Sequence, residues 1–297
     1  MSFAATRATL PGGREHWQHG PIDLVIAAEG EARAVARAYA RAWARFQVVL
    51  AELVAELALL RAPVEQAGAV RGAVARRMVQ ATLPYAPRFI TPMAAVAGCV
   101  AEEIAHIFAA EPGVRKAHVN NGGDIALHLT AGESLVVGLV ANAYAPALDG
   151  HARIDAASAV RGVATSGWRG RSFSLGVADS VTVLACSAAQ ADAAATMIAN
   201  EVNVDHAAIE RAPANSLKDD TDLGERLVTV NVGALPAPLR AQALDAGARA
   251  ANEYLRRGLL IGAAIALQNE WRTIGSLHAA PLATTGAGAA QQQRLAA

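Results

Sequence analysis

The stretch His118-Val119-Asn120-Asn121-Gly122-Gly123-Asp124-Ile125 carries the clearest structural signal in the chain. Two consecutive glycines stand between an amide and a carboxylate, with β-prone runs on both sides. Glycine adopts positive φ at no steric cost, and Asn and Asp favour tight turns. The sequence therefore predicts a turn between strands at 117–120 and 125–129, where the backbone adopts positive φ or comes close to something.

Two later stretches add chemistry to this turn. The first is Ala164-Thr165-Ser166-Gly167, and the second is Ala191-Asp192-Ala193-Ala194-Ala195-Thr196. Ser187 with Gln190 three residues later is a capping-box signal that predicts a helix through about Val202. On that helix Asp192 and Thr196 share a face and could hold a hard cation, whereas the plainer interpretation of Asp192 is a favourable charge in a first helical turn.

Composition limits the classes of function. At 297 residues, 53% hydrophobic and 18% charged, the chain suits one large domain or two small ones. Twenty-six basic residues balance 26 acidic ones, which argues against nucleic acid and anionic membranes as partners. Cys99 and Cys186 have no metal or redox spacing. Residues 1–20 lack a signal-peptide run, and the apolar stretch 48–60 is too short to span a bilayer, so we expect a soluble cytoplasmic protein.

Apolar periodicity and turn residues predict the other elements. The first part of the chain should form two strands around a turn at 11–13, followed by helices at about 29–60, 66–83 and 91–110, the last with Thr91 as N-cap. Beyond the two strands flanking the turn at Gly122, further strands are expected at 134–140, 162–165, 172–177, 180–185 and 227–232, a loop at 210–225, a helix at 236–257 and a strand or hairpin at 259–277.

This order of strands, helices and strands favours an α+β fold with antiparallel sheet. A dinucleotide-binding Rossmann fold needs a glycine-rich turn that opens a helix, but Gly122 and Gly123 precede strand-like residues. We expect one folded domain over residues 1–278. The tail 279–297 is rich in small residues and Gln, and we expect it to be disordered.

The three stretches together resemble the ApbE superfamily, whose characterised members are FAD:protein FMN transferases. The similarity is closer to an uncharacterised bacterial and archaeal branch of that superfamily, carried by segments 90–98, 165–176 and 220–224. The resemblance covers about residues 15–277. It implies a T-fold-like architecture in which two related half-domains, about 1–160 and 161–278, each combine antiparallel sheet with helices.

The same resemblance implies a cleft between the halves that binds a flavin nucleotide (FAD) or another phosphate ester with Mg²⁺. Asp192 and Thr196 would be the metal ligands, and backbone carbonyls of 94–98 could add another. Mg²⁺ suits such a site because it prefers oxygen ligands and is usually completed by waters and substrate phosphates. The residues expected to bind the flavin or its phosphates are Asn120, Asn121, Gly122, Gly123, Asp124, Thr165, Ser166, Gly167 and Trp168.

Departures from the transferases leave the activity open. The transferases carry a histidine and an Asp-Pro…Thr-Gly sequence after the Thr-Ser-Gly element, but residues 173–180 contain no His, Pro or Thr. Two function classes remain: an enzyme that cleaves a nucleotide pyrophosphate or transfers FMN, and a non-catalytic protein that binds a flavin or nucleotide. Asp192, Asp220 and Asp222 are the catalytic candidates.

Three further features have two interpretations each. The acidic run Asp219, Asp220 and Asp222 could bind a second cation or supply a base, or could be a solvated loop. Trp168, beside two arginines, could stack on a planar ring or be an edge aromatic. Asp124 could cap its own turn or reach a ligand hydroxyl. Alanine-rich helices could also pack as a homodimer.

Overall fold

A computed structural model describes residues 4–139 and 150–276, which form thirteen strands and seven α-helices. The strands are β1 (Thr6–Leu10), β2 (Arg14–His19), β3 (Ile22–Gly30), β4 (Val114–Asn121), β5 (Asp124–Leu129), β6 (Ser134–Leu139), β7 (Gly150–Asp155), β8 (Gly162–Ser166), β9 (Ser180–Ala185), β10 (Ile209–Pro213), β11 (Leu227–Val232), β12 (Gly262–Leu267) and β13 (Glu270–Gly275). The helices are α1 (Ala32–Ala55), α2 (Leu57–Leu60), α3 (Ala73–Thr82), α4 (Val96–Ala109), α5 (Ala188–Glu201), α6 (Ala214–Leu217) and α7 (Ala237–Arg256).

Nine of the strands form one antiparallel sheet in the order β1-β2-β3-β4-β5-β8-β9-β12-β13. The pairs β6–β7 and β10–β11 form two separate antiparallel ribbons. Neighbouring strands in the sheet follow the chain order, with helices inserted between them. This arrangement confirms the predicted α+β class with antiparallel sheet.

The hairpin β4–β5 contains the predicted turn. Asn121 pairs with Asp124, which leaves Gly122 and Gly123 as the two turn residues, at φ of 65° and 116°. Positive φ at both turn positions fits the right-handed twist of the strands. The side chain of Asn120 accepts a hydrogen bond from the Gly123 N–H at 2.8 Å. The turn therefore ends β4, and Asp124 is the first residue of β5 after it.

The two faces of the sheet pack against different layers. Helices α1, α4, α5 and α7 cover one face, where small side chains such as Ala117, Ala126 and Ala164 let the helices approach closely. On the other face, larger side chains such as Leu127 pack against Val137 of β6 and Ile154 of β7. These residues belong to a second, smaller core. The alternation between Ala126 and Leu127 follows the two-residue period of a strand.

An aromatic cluster fixes α1 on the sheet. Trp17 of β2 is fully buried and makes edge-on contacts with Tyr39 and Trp43 of α1, with ring centroids 6.2 and 5.3 Å apart. Phe46 packs against the same indole at 5.5 Å. From the same helical segment, Phe46, Val49, Leu53 and Leu60 also belong to the core. Burial of large aromatic surfaces stabilises this end of the molecule.

Helix α5 begins as the sequence predicts, because Ser187 Oγ accepts a hydrogen bond from the Gln190 N–H at 3.2 Å. Replacing Ser187 with alanine is expected to lower the free energy of unfolding by about 1 kcal/mol, the usual effect of losing an N-cap acceptor. Chemical denaturation should measure this loss. Ser187→Asp keeps an acceptor and is the control. An equal loss in both variants would contradict a capping role.

Several local predictions are wrong. Residues 172–177 do not form a strand, because the N–H groups of Leu175 and Val177 are bonded to the Asn200 side chain and the Val202 carbonyl, at 3.0 and 2.8 Å. The expected loop 210–225 contains β10 and α6. The second predicted helix, expected at 66–83, begins only at Ala73 and ends at Thr82. The opening section has three strands rather than two.

The third predicted helix starts differently. Pro92–Ala95 form a 3₁₀ turn before α4, and the Thr91 side chain does not cap the helix; its hydroxyl donates to Asp222 instead. The segment Pro92–Ala109 also has the length and the mean hydropathy, 1.3, of a membrane span, although no such segment was predicted there from the sequence. Half of that segment is buried in the protein, where α4 packs on β4 and β5.

Some expectations fall outside the described residues. They are the end of the predicted strand at residue 140, the last residue of the predicted hairpin at 277, and the tail 279–297. The division into half-domains at about residue 160 stays a prediction. Across that position the sheet is continuous, because Ile125 of β5 pairs with Val163 of β8.

Candidate functional site

A cleft of about 290 Å³ lies where α5, the segment before α4 and the loop after α6 meet the turn of the central hairpin. Acidic, basic and apolar side chains all line it. The polar and charged residues that line the cleft are Arg61, Thr91, Asp124, Arg171, Ser172, Asp192, Thr196, Asn200, Lys218, Asp220, Thr221 and Asp222. The apolar ones are Phe89, Ile90, Met93, Ala94, Val96, Ala97, Phe173, Leu175 and Leu223.

One face of α5 supplies three of these residues. Asp192, Thr196 and Asn200 follow each other at four-residue intervals and are partly exposed, while all the residues between them are buried. Residues four apart stack along one side of a helix. The helix therefore presents a carboxylate, a hydroxyl and an amide in a row toward the cleft.

Helix α4 holds Asp192 in place. The Gly98 N–H donates to Asp192 Oδ2 at 2.8 Å. A β-carbon at Gly98 would overlap the carbonyl of Ala188 and the side chain of Asp192, so only glycine permits this approach of α4 to α5. One carboxylate oxygen is thus bonded to the backbone of α4.

The hairpin turn supplies the second carboxylate. Asp124 Oδ1 accepts a hydrogen bond from the Thr165 N–H at 3.2 Å, which links β5 to β8 where their ladder ends. Asn121 bonds in the opposite direction, donating from Nδ2 to the Ala97 carbonyl at 3.1 Å. The two residues beside the glycines therefore tie the turn to α4 and to the neighbouring strand.

The two carboxylates stand in an environment that disfavours negative charge. Desolvation raises the pKa of Asp124 to about 7, opposed by the Thr165 N–H and the charge of Arg171. Desolvation and then the negative charge of Asp124 raise the pKa of Asp192 well above its usual range. The backbone N–H groups of Gly98 and Ala97 only partly offset that rise. A cation between these groups would lower the cost of charging both.

Arg171 lies against the turn. A β-carbon at Gly122 would overlap its guanidinium, so the glycine leaves the space that the arginine occupies. Arg171 lines the cleft together with Asp124 and provides positive charge beside the two carboxylates. An arginine in this place could bind phosphate oxygens, because its planar group donates several hydrogen bonds at once.

The loop after α6, which carries Asp220 and Asp222, also lines the cleft. Asp220 accepts from Arg61 Nη2 at 3.0 Å and lies 3.5 Å from Lys218 Nζ. Asp222 accepts the hydroxyl hydrogen bond of Thr91. Both aspartates are engaged with residues of the same cleft.

The other expected ligand-binding residues are not among those that line the cleft, and their role stays a prediction. This group consists of Asn120, Asn121, Gly122, Gly123, Thr165, Ser166, Gly167 and Trp168. Trp168 donates from Nε1 to Asp179 at 3.2 Å, and the Arg169 guanidinium lies 4.5 Å from the centre of its ring. Thr165 Oγ1 is 2.9 Å from Thr182 Oγ1. Asp124, Asp192 and Thr196 do line the cleft, as do Asp220 and Asp222.

Several residues that line the cleft were not predicted from the sequence. Asn200 could have been found, since it extends the four-residue spacing of Asp192 and Thr196 by one helical turn. Arg61 and Phe89 are distant in sequence and carry no local signal. Among the described residues, no group of three or more His, Cys, Asp or Glu side chains is arranged to hold a metal. A cation held by the carboxylates of Asp124 and Asp192 would therefore need a hydroxyl, waters or ligand oxygens as well.

Comparisons with known proteins agree with the sequence resemblance. A UPF0280 protein of Methanopyrus kandleri is 42% identical over 141 residues, which cover 47% of this chain and 54% of that protein. A UPF0280 protein of Methanosarcina acetivorans is 38% identical over 140 residues, 47% of this chain and 53% of that protein. The matched region thus spans about half the length of these relatives.

Among solved structures, the apo form of the flavinyl transferase ApbE of Pseudomonas stutzeri is similar, at 14% identity and a TM-score of 0.37, with 92% of this chain and 94% of that chain covered. The family model described as AbpE bacteria matches residues 7–273. Because this match covers most of the sequence, the chain belongs to the bacterial AbpE family, an ApbE-like branch with archaeal UPF0280 relatives.

Proposed function

We propose that the cleft binds a flavin nucleotide, FAD, or another phosphate ester together with Mg²⁺. Family membership points to a flavin-related function. The observation that carries the proposal is the meeting of Asp124, Asp192 and Thr196 on one cleft with Arg171. This set combines oxygen ligands for a hard cation with a guanidinium for phosphate oxygens.

The donor chemistry fits Mg²⁺. Two carboxylates and a hydroxyl are oxygen donors, and they leave coordination positions for waters and for phosphate oxygens, which Mg²⁺ usually keeps. Desolvation raises the pKa of both Asp124 and Asp192, so a divalent cation would relieve an unfavourable accumulation of negative charge. Bound there, the ion would offset charge that develops on a phosphate.

The residues of the chain have separate parts in this proposal. Asp192 and Thr196 would hold the cation from α5, and Asp124 would hold it from the hairpin. The Gly98 N–H orients Asp192, and the Thr165 N–H orients Asp124. Arg171 would bind the phosphate. In the enzymatic form of the proposal, water attacks the FMN-side phosphorus of FAD and the pyrophosphate bond breaks to give FMN and AMP. Alternatively, a hydroxyl of a protein substrate attacks that phosphorus, forms a phosphoester with FMN, and AMP leaves.

The metal-removal experiment tests binding directly. Purified protein titrated with FAD in a calorimeter is expected to bind with millimolar Mg²⁺ present and to lose at least about tenfold in affinity when a chelator replaces Mg²⁺. Riboflavin, which has no phosphate, is the matched ligand control and should show no dependence on Mg²⁺. Absence of FAD binding, or an affinity that is the same with and without Mg²⁺, would contradict the proposal.

Product analysis separates the enzyme from its alternative. Chromatography of the same mixtures should reveal AMP and FMN if the protein cleaves FAD. Saturable binding without product would instead support the non-catalytic flavin- or nucleotide-binding protein. That alternative is favoured by the absence of His, Pro and Thr from residues 173–180, where the characterised transferases carry such residues.

A further inference from the structure

Two basic residues from distant parts of the chain meet in the cleft that the carboxylates of Asp124 and Asp192 also line. Arg61 follows α2, and Lys218 follows α6. The two oxygens of the Asp220 carboxylate are divided between them: Oδ2 accepts from Arg61 Nη2 at 3.0 Å, and Oδ1 lies 3.5 Å from Lys218 Nζ. A guanidinium and an ammonium on either side of one anionic group form the arrangement expected of an anion-binding site.

The internal carboxylate is held weakly. The side chain of Asp220 is 59% exposed, and those of Arg61 and Lys218 are 32% and 64% exposed. Exposed ion pairs contribute little because water screens them and because ordering long side chains costs entropy. An incoming anion of higher charge can therefore take the place of Asp220.

We propose that Arg61 and Lys218 form a phosphoryl-binding subsite, which Asp220 occupies until a phosphoryl group of the ligand replaces it. The inference rests on the proposed function, since the subsite belongs to the same cleft. It adds specificity to the proposed function, because the ligand must carry a phosphoryl group that Arg61 and Lys218 bind directly, without a cation.

Phosphoryl chemistry fits this subsite better than a simple carboxylate. A phosphate monoester carries nearly two negative charges at neutral pH and three strong acceptor oxygens, whereas the Asp220 carboxylate carries one charge. Arginine binds phosphate in a bidentate manner, and lysine adds a mobile point charge. The ligand would therefore gain more from the two cations than Asp220 does.

The loop can release Asp220 without leaving the cleft. Asp222 is bonded to the Thr91 hydroxyl, and the Arg226 guanidinium lies 3.3 Å from the centre of the Phe89 ring. Both contacts lie C-terminal to Asp220, and they attach that side of the loop to the segment before α4. Exchange of the Asp220 side chain for a phosphoryl group thus needs only a local rotation.

Calorimetric titration with inorganic phosphate in the presence of a chelator tests the subsite alone. Asp220→Asn removes the competing charge and is expected to tighten phosphate binding about threefold. Asp155→Asn is the matched control, because Asp155 also pairs with an arginine at 3.0 Å on the surface, but away from the cleft. Arg61→Gln and Lys218→Gln should each weaken phosphate binding by about tenfold.

The outcomes are decisive in both directions. Unchanged phosphate affinity in Asp220→Asn, or wild-type affinity in both Arg61→Gln and Lys218→Gln with thermal unfolding unchanged, would overturn the subsite. Neither Mg²⁺ nor flavin enters this titration, so its failure leaves the proposed function standing. Conversely, phosphate binding that follows these variants while FAD fails to bind with Mg²⁺ would support the subsite and reject the proposed function.

A ligand series then identifies the source of the phosphoryl group. Tighter binding of FMN by Asp220→Asn supports a terminal phosphate in the subsite, and tighter binding of FAD alone supports an internal pyrophosphate. Riboflavin has neither group. An equal gain for riboflavin would show that removing the Asp220 charge acts without any phosphoryl group, and the proposal would be wrong.

Discussion

Replacing Asp192 with asparagine is expected to weaken Mg²⁺-dependent FAD binding by at least about 100-fold, because a lost metal-binding carboxylate removes several kcal/mol of charge stabilisation. Asparagine keeps an oxygen that can accept the Gly98 N–H, so the link between α4 and α5 survives. If the protein turns over FAD, turnover should fall with binding. Calorimetry with FAD and Mg²⁺ measures the affinity.

The same substitution should stabilise the metal-free protein. Desolvation and the charge of Asp124 raise the pKa of Asp192 in the folded state, so its ionised form costs stability. That cost is absent at acidic pH, where the carboxyl is protonated in both states, and grows as the pH rises above the unfolded-state pKa. Urea unfolding in a chelator should therefore show a gain for Asp192→Asn at pH 7 and none near pH 3.

A matched control distinguishes the effect of losing Asp192 from the effect of losing any surface aspartate. Asp245 is an exposed aspartate of α7 that pairs with Arg272 at 3.0 Å, and Asp245→Asn should leave the FAD affinity unchanged. If Asp192→Asn instead lowers stability at pH 7, Asp192 is a structural residue. If FAD affinity is unchanged, the metal assignment fails.

The opposite signs matter because most substitutions that damage a protein reduce stability and binding together. A residue that costs folding energy and is required for binding is characteristic of a functional site, where charges are held in an unfavourable place for the benefit of a ligand. Asp124 shares this feature, since burial raises its pKa to about 7.

Local signals predicted the parts of the site that lie within one element or one turn. The glycines of the hairpin have positive φ, and Asn120 accepts from the Gly123 N–H within the turn. Asp124 does not cap its own turn, because its carboxylate accepts from the Thr165 N–H of β8. The Ser187 cap fixes the start of α5, and the four-residue spacing then places Asp192 and Thr196 on one face. These features depend on backbone geometry within a few residues, which a sequence displays directly.

The contacts that close the cleft are non-local, and the sequence gives no spacing from which to infer them. Arg61 meets Asp220 across 159 positions of the chain, and Thr91 meets Asp222 across 131. The segment 172–177 has an alternating pattern suited to a strand. Its N–H groups at Leu175 and Val177 instead donate to the Asn200 side chain of α5 and to the carbonyl of Val202, directly after that helix. Tertiary context decided these cases over local propensity.

The largest loss of stability is expected for Gly98→Val. A β-carbon at this position would overlap the backbone carbonyl of Ala188, and backbone atoms at the start of a capped helix cannot move as a flexible side chain can. Overpacking between α4 and α5 should lower the free energy of unfolding by about 3 kcal/mol. Any separation of the helices would also move the Gly98 N–H away from Asp192, so Mg²⁺-dependent FAD binding should fall as well.

Two further variants distinguish the steric overlap at residue 98 from the effect of helix propensity. Ala109→Val, on the exposed last residue of α4, should cost only about 0.5 kcal/mol, the difference in helix propensity. Gly98→Ala should fall between the two, because its propensity gain of about 1 kcal/mol offsets part of the clash. Urea unfolding compares the three. If Gly98→Val costs no more than Ala109→Val, α4 and α5 can separate freely, and the close approach does not position Asp192.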